Sequence, residues 1–195
     1  MGLSCVDLGA SSGGFTDCLL QHGAAHVSAV DVGSGHFDWG LSTDARVSLF
    51  EHTNIRGLDA RVIGGPFDIV VADLSFISLR SVMGDIVGFL KPDGVFVSLV
   101  KPQFEAARDE VEAGGVVRKA QVHERCIAKV LDSAAEHGFD VCGLSHSPVT
   151  GPAGNIEFLF WAKYLPKADA LRGSIDESEI CSVVMAAHAH LGGNT

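Results

Sequence analysis

The chain has 195 residues, 47% of them hydrophobic and 19% charged, so it can bury a sizeable core in one domain and is not a disordered chain. The net charge of −10 and the pI near 5.2 exclude a protein that holds nucleic acid by bulk electrostatics alone. The five cysteines form no CxxC pair, and no stretch reaches the roughly 20 apolar residues of a membrane-spanning helix. We therefore expect a cytoplasmic protein with reduced cysteines and with no zinc site, disulfide framework, signal peptide or membrane anchor.

Short apolar runs alternate with helical patterns along most of the chain. The predicted strands are Leu3–Leu8, His26–Val30, Val47–Phe50, Phe67–Ala72, Val95–Val100, Phe139–Ser145 and Ile156–Ala162. The predicted helices are Gly13–His22, Leu79–Leu90, closed by the turn signal "KPDG", and Gln121–His137, closed by Gly138. Because the strands are apolar throughout, we expect a doubly wound α/β fold with a mostly parallel sheet and with ligands at the carboxyl ends of its strands.

Two features of the C-terminal part modify this fold. The last two predicted strands are joined by "SHSPVTGPAGN", a loop without a helix, so one of them should be antiparallel. The domain is expected to cover residues 1–164, and residues 165–195 are expected to form a tail with one helix, capped by Ser174 or Asp176.

A glycine-rich turn, "DLGASSGGF", joins the first predicted strand to the first predicted helix. Asp31 ends the second strand 22 residues after Gly9, which is the layout of a nucleotide-binding βαβ unit. Amides at the start of the helix can bind an anion, and the acid can bind ribose hydroxyls. Ser11 replaces the second glycine of the GxGxxG pattern, which argues against the pyrophosphate of NAD or FAD but not against S-adenosylmethionine. A tight turn without a ligand is the alternative at this point.

Three ionisable residues lie at ends of predicted apolar strands, namely Asp73, Lys101 and Glu157. One such residue is usually only a solvated strand end. Three of them at one edge of one sheet predict a catalytic site.

The motifs that surround these residues resemble those of a known family. They are "DLGASSGGFTD", "NIR" at Asn54–Arg56, "ADLSFISL", "LVKPQFE", "GGVVR" and "SPVTGPAGNIEFL". The chain resembles, from about Cys5 to Tyr164, the catalytic domain of TlyA-type RNA methyltransferases, a branch of the FtsJ-like ribose 2′-O-methyltransferases. The resemblance implies a Rossmann-like, S-adenosylmethionine-dependent enzyme that methylates cytidine ribose in ribosomal RNA. Some members also carry a haemolysin label.

The family uses a Lys-Asp-Lys-Glu tetrad, and by position the resemblance assigns Asp73, Lys101 and Glu157 to its last three members. In the family, the first lysine lies in a helix ahead of the first strand, and an S4-like RNA-binding domain is also N-terminal. We therefore expect this chain to be a catalytic core without these parts, weakly active or inactive alone. An S4-like domain would also carry the basic surface that a chain of net charge −10 lacks.

The cofactor is expected at the glycine turn, the ends of neighbouring strands and the "NIR" motif. Asp31 should bind the cofactor ribose, and Asn54–Arg56 should lie beside the adenine. The full expected set is Asp7, Gly9, Ala10, Ser11, Ser12, Gly13, Gly14, Phe15, Asp31, Val32, Asn54, Ile55, Arg56 and Asp73.

The chemistry requires in-line placement of oxygen, methyl carbon and sulfur, and removal of the hydroxyl proton, because a ribose 2′-hydroxyl is a poor nucleophile. Lys101 is the candidate base, and a lysine acts as a base only if burial or a nearby positive charge lowers its pKa. Asp73 and Glu157 are better suited to orient the ammonium groups and the ribose. No metal is required.

Two further regions have open interpretations. Residues 103–119 suit a mobile substrate loop, with a plain connector as the alternative for their first half. Arg56, Arg118 and Lys119 are candidates for contacts with RNA phosphates, although such residues are more often simply solvated.

Three other classes of function compete with this interpretation. Ser11 and the lack of a second substrate domain count against an NAD-dependent oxidoreductase. The acidic charge and the missing apolar span count against a membrane-lytic protein. The presence of Asp73, Lys101 and Glu157 counts against a non-catalytic module that only binds the cofactor.

Overall fold

The computed structural model describes residues 2–166 and 175–191. Its strands are β1 Ser4–Leu8, β2 His26–Val30, β3 Val47–Phe50, β4 Phe67–Ala72, β5 Leu90–Val100, β6 Phe139–His146 and β7 Phe158–Tyr164. Its helices are α1 Gly14–Gln21, α2 Trp39–Ser42, α3 Met83–Val87, α4 Pro102–Glu105, α5 Ala120–Glu136 and α6 Glu177–Leu191. Short 3₁₀ helices cover Ala60–Ile63, Leu79–Val82 and Arg108–Glu110.

The seven strands form one sheet in the order β3-β2-β1-β4-β5-β7-β6. The pairs of β1 with β2, β1 with β4 and β2 with β3 are parallel, whereas β6 and β7 are antiparallel. The predicted class, a mostly parallel Rossmann-like α/β sheet with an antiparallel strand near the C-terminus, is confirmed.

The chain divides into two compact units, one comprising residues up to Leu74 with Val82–Val97 and the other comprising Ser75–Ser81 with the chain from Ser98 onward. In the first unit, β1 lies between β2 and β4, with Asp7 beside both Ala29 and Val71. Most positions of β1, β2 and β4 are buried, and Leu20 of α1 belongs to the same core. The register therefore ends these strands together, just before the polar residues that follow them.

In the second unit, α5 is the central helix. Its buried side chains recur at helical spacing, as in Val122, Cys126, Val130 and Ala134, and α5 packs on β6. Helix α6 packs on both α5 and β6 through the buried Ile180, Val184 and Ala187. Among the described residues, no helix has the length and apolar character needed to cross a membrane.

Most predicted elements are confirmed, with ends shifted by one or two residues. The helix predicted over Leu79–Leu90 is wrong in its length, because a 3₁₀ helix and the short α3 occupy its place and Leu90 already begins β5. The "KPDG" signal lies inside β5, where Asp93 has a φ of 62°. The turn residues therefore produce a local bend, and the strand continues through it.

The C-terminal helix is present as expected. Asp176 caps it, since its Oδ1 accepts a hydrogen bond from the backbone N–H of Glu179 at 2.9 Å. Ser174, the other candidate cap, lies outside the described residues. The division of the chain at residue 164 stays a prediction.

A histidine pair joins α5 to α6. His123 is 0% exposed, its Nε2 donates to the carbonyl oxygen of Val117 at 3.0 Å, and its Nδ1 lies 3.0 Å from Nε2 of His188. Because a carbonyl oxygen only accepts, the proton of neutral His123 is on Nε2, and Nδ1 accepts from His188. Burial lowers the pKa of His123 to about 4, although the Val117 hydrogen bond opposes the shift.

This pair predicts that the fold loses stability in acid. The unfolded chain takes up a proton on His123 below a pKa of 6.5, whereas the folded chain does so only near 4, so the free energy of unfolding should fall as the pH drops from 6.5 to 4. We expect a loss on the order of 2–3 kcal/mol, measured by urea unfolding at several pH values. His123→Gln, which keeps one donor and one acceptor, should flatten this dependence, and His22→Gln, at an exposed position, should not. An equal pH slope in wild type and His123→Gln would contradict the assignment.

Candidate active site

The glycine turn is in backbone contact with the end of β4, within the first unit. Gly9 has a φ of 82°, and a Cβ placed on it would lie only 2.5 Å from the carbonyl oxygen of Asp73. The N–H of Asp73 donates to the carbonyl oxygen of Leu8 at 3.0 Å. The glycine is therefore required by both its conformation and its surroundings, and it brings Asp73 against the turn.

Asp31 is held by two backbone amides, one of them in the glycine turn. Its Oδ2 accepts a hydrogen bond from the N–H of Ser11 at 2.8 Å, and its Oδ1 accepts one from the N–H of Gly33 at 2.7 Å. A carboxylate has about four lone-pair positions, so each oxygen can accept one more hydrogen bond. The carboxylate is thus oriented by the backbone and can still bind two neighbouring hydroxyls of a ribose.

A cavity of about 60 Å³ lies beside this carboxylate. Its lining comprises Ser11, Asp31, Gly33, Ser34, His36, Phe37, Leu49 and Glu51. Glu51 is a polar residue that our sequence interpretation missed, and its Oε1 accepts a hydrogen bond from the N–H of Gly35 at 2.6 Å. It directly follows β3 as Asp31 follows β2, so the strand-end rule applied to the other residues would have found it.

Asp7 lies inside β1 and is 1% exposed. Its Oδ2 accepts from the N–H and the hydroxyl of Thr16 at 2.9 and 2.7 Å, whereas its buried Oδ1 has no hydrogen-bond partner in the described part of the chain. The pKa of Asp7 is raised to about 6 by burial first and by the negative charges of Asp73 and Asp31, although the Thr16 hydrogen bonds oppose the shift. The three carboxylates therefore make the turn suitable for a cation and unfavourable for a pyrophosphate.

The other expected cofactor residues lie near the turn or on the loop after β3. Ala10 and Gly13 are buried, Phe15 is half-buried, and Ser12, Gly14 and Val32 are exposed. In the "NIR" motif, Asn54 and Arg56 are exposed, Ile55 is buried, and Oδ1 of Asn54 accepts from the N–H of Arg56 at 3.0 Å. Their contact with an adenine stays a prediction.

A second cavity, of about 340 Å³, belongs to the second unit and brings Lys101 and Glu157 together. Lys101 directly follows β5, and Glu157 directly precedes β7. The lining comprises Ser75, Phe76, Lys101, Gln103, Phe104, Val111, Gly114, Gly115, Gly151, Pro152, Ala153, Asn155 and Glu157. Four of these side chains, Ser75, Lys101, Gln103 and Glu157, can exchange protons or hydrogen bonds with a bound substrate.

Each charged group in this cavity has a partner that orients it. Nζ of Lys101 donates to Oγ of Ser75 at 3.0 Å, and Nε2 of Gln103 donates to Oε1 of Glu157 at 3.1 Å. Glu157 is 8% exposed, and a Cβ on Gly151 would lie 2.7 Å from its Oε1. Ser75 and Gln103 were missed by the sequence interpretation, although both belong to the quoted motifs "ADLSFISL" and "LVKPQFE".

Asn155 connects two of the quoted motifs. It is 2% exposed, its Oδ1 accepts from the N–H of Val117 at 2.9 Å, and its Nδ2 donates to the carbonyl oxygen of Gly115 at 2.9 Å. This side chain joins "GGVVR" to the loop that precedes Glu157. The tract 103–119 therefore has structure of its own, including the end of α4 and the 3₁₀ helix.

Phe76 is the most exposed large apolar side chain of the described residues, at 91%. Its φ is 65°, a left-handed conformation that is unusual for a bulky residue, and its ring centroid lies 5.4 Å from that of Phe104. An exposed aromatic ring at the wall of the cavity that holds Lys101 and Glu157 is suited to stack on a flat ligand.

The remaining candidates are placed as follows. Asp73 directly follows β4 and belongs to the first unit, while Lys101 and Glu157 belong to the second. Arg118 forms an ion pair with Glu112 at 3.3 Å. Among the described residues, no group of three or more His, Cys, Asp or Glu side chains could hold a metal ion.

Comparisons with known proteins agree with one another. The family model of the FtsJ-like methyltransferases matches residues 1–164. The 16S/23S rRNA (cytidine-2′-O)-methyltransferase TlyA of Mycobacterium tuberculosis is 49% identical over 162 residues, which are 83% of this chain and 60% of that protein. YqxC of Bacillus subtilis, provisionally named an rRNA methyltransferase, is 41% identical over 187 residues, which are 95% of this chain and 66% of that protein.

A solved structure from Streptococcus thermophilus, provisionally named a hemolysin, has a TM-score of 0.92 at 38% identity and covers 98% of this chain and 68% of its own. The chain thus spans 60% to 66% of the length of these two curated relatives.

Proposed function

The chain belongs to the FtsJ-like methyltransferase family, and we propose that it transfers a methyl group from S-adenosylmethionine to a ribose 2′-hydroxyl, that of a cytidine in ribosomal RNA. The observation that carries the proposal is the cavity in which Lys101, Ser75, Gln103 and Glu157 lie together. The identity with a curated rRNA (cytidine-2′-O)-methyltransferase supports the substrate. A ribosomal substrate would place the protein in the cytoplasm.

S-adenosylmethionine is the cofactor that the family implies. The residues of the glycine turn fit it: Asp31 is oriented to accept from ribose hydroxyls, and the carboxylates of Asp7, Asp31 and Asp73 suit its cationic groups. When bound, the cofactor would supply a methyl group on a positively charged sulfur. The same carboxylates would repel the pyrophosphate of NAD, so the oxidoreductase alternative is not favoured.

Lys101 would act on the hydroxyl proton. In its neutral form, Nζ can take the proton as the O–H bond of the ribose breaks, and the hydrogen bond with Ser75 orients it for this step. Glu157 would accept a hydrogen bond from a ribose hydroxyl, and the hydrogen bond from Nε2 of Gln103 to its Oε1 orients the carboxylate. Asp73 keeps its expected orienting role as a proposal.

Phe76 would receive the nucleobase. A target nucleotide must leave its stack for its ribose to enter a cavity, and an exposed aromatic face can replace the lost stacking. The 91% exposure of Phe76 and its contact with Phe104 support this role.

The cofactor assignment predicts that Asp31→Ala weakens binding of S-adenosylmethionine and of S-adenosylhomocysteine by roughly 10- to 100-fold, because two hydrogen bonds to the ribose are lost. Isothermal titration calorimetry checks this, with Asp17→Ala, at an exposed position of α1, as the control. NAD binding as tight as that of S-adenosylmethionine would refute the assignment.

The catalytic assignment predicts that Lys101→Ala slows methyl transfer by at least roughly 100-fold while cofactor affinity stays nearly unchanged. Lys101→Arg should not rescue the rate, since a guanidinium does not give up its proton. The measurement is transfer of tritiated methyl groups to unmethylated ribosomal subunits by a full-length version of the protein, with Lys129→Ala on the exposed face of α5 as the control. A wild-type rate in Lys101→Ala would rule out both the base and an essential orienting role.

The position of Glu157 can be tested without removing it. In Gly151→Ala, the new Cβ would approach Oε1 of Glu157 to 2.7 Å, so the flexible carboxylate must shift while the backbone need not. We expect methyl transfer to fall by roughly tenfold, because small misplacements in an active site are costly, with little change in the thermal unfolding midpoint. Thr150→Ala serves as the neighbouring control. A Gly151→Ala protein with wild-type activity would show that the carboxylate position does not matter for the reaction.

A further inference from the structure

Glu105 is a buried carboxylate that the tetrad does not include. It is 6% exposed and accepts three hydrogen bonds, from Oγ of Ser78 at 2.7 Å, from the N–H of Leu79 at 2.6 Å and from Nε of Arg80 at 3.0 Å. A buried charge is tolerated only where hydrogen bonds and an opposite charge replace its hydration. All three donors lie on consecutive residues of one segment, so Glu105 holds that segment at three adjacent points.

The segment held by Glu105 is Ser75–Ser81, which carries two residues of the catalytic cavity. Helix α4, Pro102–Glu105, begins directly after Lys101 and faces this segment. Three contacts join the same two stretches of chain, namely Lys101 with Ser75, Phe104 with Phe76, and Glu105 with Ser78, Leu79 and Arg80. Of these three contacts, those of Glu105 are buried, whereas the contact between Lys101 and Ser75 lines the cavity.

Phe76 is held in a conformation that the chain would not adopt alone. A φ of 65° is unfavourable for a bulky residue and persists only where the surroundings fix it. Phe76 is itself 91% exposed, so its ring contributes little to its own restraint. The restraint comes from the residues on either side, Ser75 bonded to Lys101 and Ser78–Arg80 bonded to Glu105.

We propose that Glu105 is a positioning residue for methyl transfer, which fixes the Ser75–Ser81 segment on α4 and thereby sets the position of Ser75, of the Lys101 ammonium and of the Phe76 ring. The proposal rests on the proposed function for its effect on rate. It makes a separate claim about the segment, because removal of the carboxylate should release Ser75–Ser81 whatever reaction the cavity supports.

The test combines hydrogen exchange with kinetics on three variants. In Glu105→Ala, hydrogen–deuterium exchange measured by mass spectrometry should accelerate in peptides covering 75–81 by roughly tenfold or more, since the Leu79 N–H loses its acceptor. In methyl transfer measured at saturating substrate, kcat should fall by roughly tenfold or more. The dissociation constant of S-adenosylmethionine should stay within about twofold of wild type. Glu105→Gln keeps one acceptor for the Leu79 N–H, so its exchange in 75–81 and its kcat should lie between those of Glu105→Ala and wild type. Arg80→Ala removes only the half-exposed partner of Glu105 and should have the smallest effect on both.

Controls separate this role from a general loss of stability. Asp44→Ala removes the carboxylate of another arginine pair, that of Arg46 and Asp44 at 2.7 Å, and should change neither exchange in 75–81 nor kcat. Should Glu105→Ala unfold, Glu105→Gln and Arg80→Ala still rank the exchange of the segment. Wild-type exchange in 75–81 for Glu105→Gln and Arg80→Ala together with wild-type kcat would overturn the proposal. A wild-type chain that does not bind S-adenosylmethionine would count against the proposed function, whereas the exchange data would still decide whether Glu105 holds the segment.

Discussion

The structure depends on one constraint, that parallel strands buried on both faces place most of their charged side chains where the strands end. Most positions of β1, β2 and β4 are buried, and the polar residues Asp31, Glu51, Asp73 and Lys101 each follow the last residue of a strand. Asp7 is an exception, because it lies inside β1. Thr16 donates two hydrogen bonds to its carboxylate, and burial raises the pKa of Asp7 to about 6. Asp68, inside β4, is a second acidic residue within these strands, and it is paired with Lys91 at 2.8 Å.

In the second unit, hydrogen bonds between loops orient the polar groups of the cavity. Lys101 is oriented by Ser75, Glu157 by Gln103, and the loop before Glu157 by Asn155, and each contact joins residues that are distant in sequence. Buried or half-buried polar groups with satisfied partners rigidify their surroundings. The arrangement of polar groups in the cavity therefore depends on hydrogen bonds between residues that are far apart in the sequence.

The sequence predicts the sheet better than it predicts the cavity. The runs "HVSAV" and "FDIVVA" are short, apolar and followed by an acid, so their strands are predicted at the correct residues. The helix over Leu79–Leu90 is wrong because apolar spacing alone does not distinguish a helix from a 3₁₀ helix that leads into a strand. The partners Ser75 and Gln103 have no periodic pattern around them, and their roles depend on contacts with residues far along the chain.

The match to the family model ends at residue 164, yet the packing does not end there. Helix α6, Glu177–Leu191, lies on α5 and β6, and its His188 supplies the hydrogen bond to a histidine with no exposed surface. A boundary drawn by sequence similarity and a boundary drawn by burial therefore differ in this protein. A chain shortened at the first boundary would expose the apolar side of α5 and leave His123 without its donor, so recombinant versions and domain fusions should keep the final helix.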